Sequence, residues 1–294
     1  MNIGVLSCSR LPSKADVSGG LGKSAYDVAI GLHNIGHDVT LYGAGGSRFG
    51  SLVIVKDEAD LVAKASVGEH DVWFDYSHSH MLKDLPVLNV IGDSETQHQP
   101  QNAVVASEYM RKRHPSARIV HTGIDTDNIP FTADAADYLS FMARMNFQKG
   151  WDRALDIADY AGKDIVFIGP GGYGFGLKNY RGALSGDAKW QALGLSYGLL
   201  APYIQDASPR VPLEAAACGV PTLCLSSDGT QEHVKSGVSG FVCENLDEMV
   251  SMVSELDRLD RAKVRQWVCE RHNMKDMIDE YERLLLDVMN GRRW

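Results

Sequence analysis

Short apolar runs alternate with amphipathic stretches along nearly the whole chain, and the alternation starts afresh near its middle. Residues 3–6 form an apolar run of the buried-strand kind. Ala25, Val28, Ala29 and Leu32 then recur at the i, i+3, i+4, i+7 spacing of one helix face, and Gly36 supplies a stop. Val39-Thr40-Leu41-Tyr42 is a second strand. Strand, helix and strand at this spacing predict a parallel pair joined by a right-handed crossover. Similar apolar runs follow at 52–55, 72–74, 87–91, 103–105 and 119–120, with a helical stretch near 57–65. A second series opens with Leu139-Ser140-Phe141-Met142. Trp151, Ala154, Leu155 and Ala158 mark its first helix, which Gly162 ends, and strands are expected at 165–168, 199–202, 221–225 and 240–243. Each series is too small for a (β/α)8 barrel. The pattern therefore predicts an α/β chain of two Rossmann-like domains, with ligands bound at the carboxyl ends of the strands, in a cleft between the domains.

Residues 123–135 lack periodicity and contain Pro130, so they read as an interdomain linker. The expected division is a first domain at 1–130, a second at 131–270, and a C-terminal helix at 271–294 that packs back on the chain. Met274, Met277, Ile278, Tyr281, Leu284, Leu285 and Val288 form the apolar stripe of that helix, with Asn273 as its cap.

Charge narrows the partners. With 29 basic and 38 acidic residues the formal charge is −9, and neither half is a basic arm, which argues against duplex-DNA binding. The densest basic run, Arg111-Lys112-Arg113-His114, reads as a solvated helix face, with contact to an anionic acceptor or a membrane surface as the alternative. The five cysteines include no C-x-x-C pair, which fits reduced thiols and a cytoplasmic protein. The first residues lack a basic leader region, and no apolar run approaches the roughly 18 residues of a membrane span.

Three short motifs are decoys. Gly22-Lys23-Ser24 resembles the end of a phosphate-binding P-loop, but Val17 stands where its first glycine is needed. Gly169-Pro170-Gly171-Gly172-Tyr173-Gly174 matches the dinucleotide fingerprint, yet no helical stripe follows it, so a bare loop is expected. Asp125-Thr126-Asp127 has metal-ligand spacing but sits among turn-forming residues. The informative cluster lies elsewhere. Arg144 and Lys149 flank the turn after a strand, where both cations can meet a diphosphate. Asp206 on a loop and Glu214 in the first turn of the next helix are eight apart, and Pro209 and Pro212 suit that helix start. A carboxylate so placed can accept two hydrogen bonds from a ribose diol.

These segments resemble a known family. Ala143-Arg144-Met145-Asn146-Phe147-Gln148-Lys149-Gly150 is similar to the G-R-x-x-x-x-K-G segment of family-four retaining glycosyltransferases, which have the GT-B fold. Asp206 to Glu214, continued by Ala215-Ala216-Ala217-Cys218-Gly219-Val220-Pro221, is similar to their E-x7-E motif and its E-A-x-A-C-G-x-P sequel. Asp228-Gly229-Thr230-Gln231-Glu232 and Ser236-Gly237-Val238-Ser239-Gly240-Phe241-Val242 resemble the segments that follow. In the first half, Gly19-Gly20 resembles the acceptor-side glycine loop, Asp75-Tyr76-Ser77-His78-Ser79-His80 the D-x-x-H-x-H stretch, and His121-Thr122-Gly123-Ile124-Asp125 the N-G-I-D segment. Three positions depart from the pattern: Asp206 replaces a Glu, Pro209 a Gly, and Gln231 a Pro.

The resemblance implies a GT-B chain, with an acceptor-side first domain and a nucleotide-sugar-binding second domain. It implies metal-independent transfer of a sugar from a nucleotide-diphosphate sugar, UDP-linked in the first instance, to an acceptor hydroxyl with retained configuration. Arg144 and Lys149 would hold the diphosphate, Glu214 the ribose, and Asp206 the donor sugar. Gly20 and Gly229 would complete the nucleotide-sugar site, and His80, with His78 as the weaker choice, would reach the donor sugar from the first domain. The catalytic set would be Arg144, Lys149, His80 and Asp206. No metal ligand and no cofactor beyond the donor is implied. The acceptor would be a glycan, a lipid-linked sugar or a small molecule, a choice that the resemblance leaves open. Alternative readings are a GT-B sugar-nucleotide epimerase, a non-catalytic nucleotide-sugar binder, or a nicotinamide oxidoreductase using the Gly169-to-Gly174 loop.

Overall fold

A computed structural model describes residues 1–14, 20–82, 84–92, 99–226 and 228–294, with the Phe175 side chain excepted. The elements run in the order β1 (Asn2–Leu6), α1 (Gly20–Asn34), β2 (Asp38–Ala44), β3 (Leu52–Val55), α2 (Glu58–Ser66), β4 (Val72–Asp75), β5 (Val87–Ile91), β6 (Ala103–Val105), α3 (Glu108–Arg111) and β7 (Arg118–Ile119). The second series is β8 (Tyr138–Met142), α4 (Trp151–Tyr160), β9 (Asp164–Ile168), α5 (Gly186–Gly194), β10 (Gly198–Ala201), α6 (Val211–Ala217), β11 (Thr222–Leu225), β12 (Gly240–Cys243), α7 (Leu246–Met252) and α8 (Arg261–Arg271). Helix α9 (Met274–Met289) closes the chain. No helix among the described residues is long and apolar enough to cross a membrane.

The chain divides into two compact units, one formed by Met1–His121 with Met274–Trp294, the other by Thr122–Asn273. The first holds a parallel seven-stranded sheet in the order β3-β2-β1-β4-β5-β6-β7. The order reverses between β1 and β4, which sets a topological switch point at their carboxyl ends. Helix α9 belongs to this unit. Its residues Met277, Ile278, Tyr281, Leu284, Leu285 and Val288 join Ile3, Val28, Leu32, Phe74 and Leu88 in one buried cluster. Tyr281 meets Phe74 edge to face, with ring centroids 4.9 Å apart.

The second unit holds a parallel five-stranded sheet in the order β12-β11-β10-β8-β9. In chain order this is the doubly wound 2-1-3-4-5 arrangement, and its switch point lies between β8 and β10.

The division falls between His121 and Thr122, not at 130/131, and the segment read as a linker is part of the second unit. Ile124 and Ile129 are buried there. The backbone N–H of Ile124 donates to the His272 carbonyl at 2.8 Å. Arg265 of α8 donates to the carbonyls of Thr126 and Ile129 at 2.8 Å each, and Arg261 to that of Thr132 at 2.8 Å. Such a segment needs no periodicity, because guanidinium groups satisfy the carbonyls that a helix or sheet would otherwise pair.

Candidate active site

The strands at the second unit's switch point position most of the carboxylates and cations singled out above. From β8 the chain turns through residues 143–150 into α4. Asn146 shapes this turn, since its side-chain oxygen accepts from the Lys149 N–H at 2.9 Å. Gly150 then enters α4 in the left-handed region at φ 72°, where a Cβ would lie 2.6 Å from the Pro202 carbonyl oxygen. Only glycine suits both demands. The Ile204 N–H donates to the Gln148 carbonyl at 3.0 Å, which ties the β8 loop to the β10 loop.

Lys149 and Asp206 meet across that junction as an ion pair. The Lys149 ammonium also lies 4.9 Å from the centroid of the Tyr203 ring. Tyr203 is fully buried and donates to the Met142 carbonyl at 3.0 Å, so the floor beneath the cation is fixed. Asp206 is held by its backbone. Its N–H donates to Asp228 at 2.9 Å, and its carbonyl accepts from the Gly229 N–H at 2.9 Å. A Cβ on Gly229 would stand 2.0 Å from the Ala207 carbonyl oxygen, so this close backbone approach excludes any side chain there.

Asp228 opens the Asp228-to-Glu232 segment, and the resemblance gives it no role of its own in the site. It is completely buried and caps the 3₁₀ turn Gly229–His233 by accepting from the Thr230 N–H at 2.8 Å. Burial raises its carboxyl above the ordinary carboxylate value, against the opposing pull of those N–H donors.

Glu214 lies in the first turn of α6 and is buried. It pairs with Lys189 of α5 at 2.8 Å, and that ammonium sits 4.3 Å from the centroid of the Trp190 ring. Lys189 carried no signal in the sequence, because it stands alone, 25 residues before Glu214 and outside any motif. Arg144 is exposed, and its side chain meets none of the other site residues among the described contacts. Beside the Lys149 turn, Phe147 and Tyr173, each 55 % exposed, close around Trp151 with ring centroids 5.2–6.0 Å apart.

Two other site residues belong to the first unit, on the connections that leave its switch-point strands. Gly20 is the first residue of α1 and is exposed, with nothing within 4 Å of where a Cβ would be; Gly19, its partner in the motif, lies outside the described residues. His80 follows β4. It is 8 % exposed, sits in the left-handed region at φ 49°, and places Nδ1 3.3 Å from the Asn89 side-chain oxygen. His78 adopts φ 63°, and its ring lies parallel to that of His80 with centroids 6.5 Å apart.

The decoys resolve locally. Gly22, Lys23 and Ser24 lie within α1, where Lys23 pairs with the buried Asp27. Gly172–Gly176 is a single 3₁₀ turn rather than a bare loop. Asp125 accepts from the Asn128 side chain at 2.6 Å, as turn chemistry requires.

No protein-family profile matches the chain, and no curated protein matches it. Solved structures do. AviGT4, a glycosyltransferase involved in avilamycin A biosynthesis, is 19% identical, with 100% of this chain and 99% of that chain covered at a TM-score of 0.81. HepE of Anabaena, in complex with UDP and glucose, is 14% identical, with 98% and 100% covered at 0.78. Sucrose-phosphate synthase from Thermosynechococcus elongatus is 12% identical, with 99% of each chain covered at 0.79. The fold is GT-B. At these identities the likeness fixes architecture, and the chemistry has to be argued from the residues.

Proposed function

We propose that the chain is a retaining, metal-independent glycosyltransferase that moves a sugar from a nucleotide-diphosphate sugar to an acceptor hydroxyl. The observation that carries the reading is the Lys149 ammonium, held on a buried aromatic floor at the switch point and already paired with a carboxylate. Breaking a sugar–diphosphate bond moves negative charge onto the leaving phosphate. A cation fixed beforehand at that place stabilises the charge as it forms. Arg144, exposed on the same turn, would add a planar fork to the grip. HepE binds UDP-glucose on the same fold, which supports a UDP-linked donor.

In this reading the arriving diphosphate takes Lys149, and Asp206 turns to the hydroxyls of the donor sugar. Glu214 accepts from the ribose diol while Lys189 offsets its charge. Gly229 keeps the backbone close beneath them. Within the first unit, Gly20 leaves room at the start of α1, where backbone N–H groups suit phosphate oxygens, and His80 is assigned to a sugar hydroxyl.

Thermal stabilisation and calorimetry across nucleotide-sugars, followed by assay of released UDP with and without acceptors, test the proposal. Lys149→Ala is expected to lower kcat/KM by about 10²–10³-fold, the cost of removing one preorganised charge-stabilising group. Near-normal kcat/KM in that variant would remove Lys149 from the reaction. Donor conversion without any acceptor would favour an epimerase, and UDP binding with neither transfer nor hydrolysis a binding protein.

A further inference from the structure

Parallel strands are usually joined through a helix that covers the face of the sheet. Residues 76–86, which join β4 to β5, contain no helix among those described. Here the first unit has a cavity of about 270 Å³, lined on its polar side by His80, Asn89, Gln99, Gln101 and Asn102. Leu82, Leu85 and Val87 give it apolar walls, and among the described residues no Asp, Glu, Lys or Arg lines it.

The amides are held in place by the fold. Asn89 donates from Nδ2 to the Gln101 carbonyl at 2.8 Å, and its Oδ1 faces His80 Nδ1. Asn102 donates to the Val87 carbonyl at 3.1 Å. Gln101 accepts from Arg293 at 2.5 Å through its side-chain oxygen, which leaves its NH₂ group pointing no hydrogen bond at any described residue. A carboxamide has two N–H donors and two acceptor lone pairs, so each of these side chains keeps capacity after its structural bond is made.

We propose that this cavity binds a single neutral sugar ring of the acceptor. Neutral amides match hydroxyls, which both donate and accept, and the leucine and valine walls match the C–H faces of a pyranose. Among the described lining residues a phosphate or carboxylate would meet amides rather than a Lys or Arg, and it would lose its hydration. The volume lies below the roughly 300–1,000 Å³ of pockets for drug-sized ligands, which fits one ring rather than an oligosaccharide. The acceptor role rests on the glycosyltransferase reading, in which His80, one of the residues lining the cavity, is assigned to a sugar hydroxyl.

The test uses the full chain and saturation-transfer NMR with glucose, galactose and mannose, against glucose 6-phosphate and glucuronate as charged counterparts. At least one neutral hexose should bind, and the charged ones at least tenfold more weakly. Leu82→Trp, which fills the cavity, should abolish the signal, and Gln101→Leu should weaken binding several-fold. If the tryptophan variant fails to fold, the Gln101 variant decides. Absence of hexose binding, equal binding of charged sugars, or binding indifferent to both substitutions overturns the proposal. UDP calorimetry on the unsubstituted protein separates the two claims. UDP binding without hexose binding sinks the cavity alone. Hexose binding without UDP binding keeps the sugar site and removes its acceptor role together with the donor reading.

Discussion

Asp206 is one methylene shorter than the glutamate of the motif it resembles, and its carboxylate is committed to Lys149. Three residues on, Pro209 has no N–H to offer, but its carbonyl accepts from His233 Nδ1 at 2.8 Å, and His233 Nε2 lies 3.0 Å from the Ser208 hydroxyl. The imidazole thus anchors a loop that the substitution deprives of one donor. The Glu214–Lys189 pair makes a sharper claim. Glu214→Gln leaves an ammonium whose side chain is only 19 % exposed without its counter-charge. A loss of about 1–3 kcal/mol is expected, read from the urea midpoint. The double variant Glu214→Gln/Lys189→Met should lose less than the two single losses added. Strict additivity would mean that the pair is not coupled. Sequence could nominate Glu214 through its spacing from Asp206, but not Lys189 or Asp228. Ion pairing between separate helices and a cap on a short 3₁₀ turn leave no periodic trace.

Helices with a continuous apolar face were the most legible elements. Helix α4 runs over Trp151–Tyr160 as its stripe indicates, and α9 buries its stripe from Met277 to Val288. The four-residue α3 has no stripe to read, since one turn defines no face. The 124–132 segment was illegible for the same reason at larger size, because its contacts with Arg261 and Arg265 come from more than 120 residues away. Asp287 of α9 shows an element docked by charge as well as by apolar packing. The hydrogen bond from Arg118 at 2.9 Å, helped by Arg292 and Arg283, holds its carboxyl below the ordinary carboxylate value. A depressed folded-state value gives stability that is complete above the unfolded-state value and is lost as the pH falls through the folded one. Melting temperatures should therefore drop below about pH 4, and Asp287→Asn should flatten that acid limb. An unchanged slope in the variant would dissociate the carboxylate from acid unfolding.

The molecule repeats one design in two strand orders, and each sheet sets its switch-point residues on the loops leaving adjacent strands. The second unit is one continuous segment, with buried clusters drawn only from its own residues. A fragment of residues 122–273 is expected to fold alone and unfold cooperatively in urea. Residues 1–121 alone should not, since they lack the α9 side chains of their main cluster, each worth about 1.5–3 kcal/mol when buried. Two-state unfolding of residues 1–121 would refute this account.

The ribosome makes chains from the amino end, and leading domains ordinarily finish first. Here the cluster around Phe74 and Leu88 includes Leu284, Leu285 and Val288. The first unit must therefore stay incomplete while the whole of residues 122–273 is made, its unfinished apolar surface open to chaperones, until α9 leaves the exit tunnel.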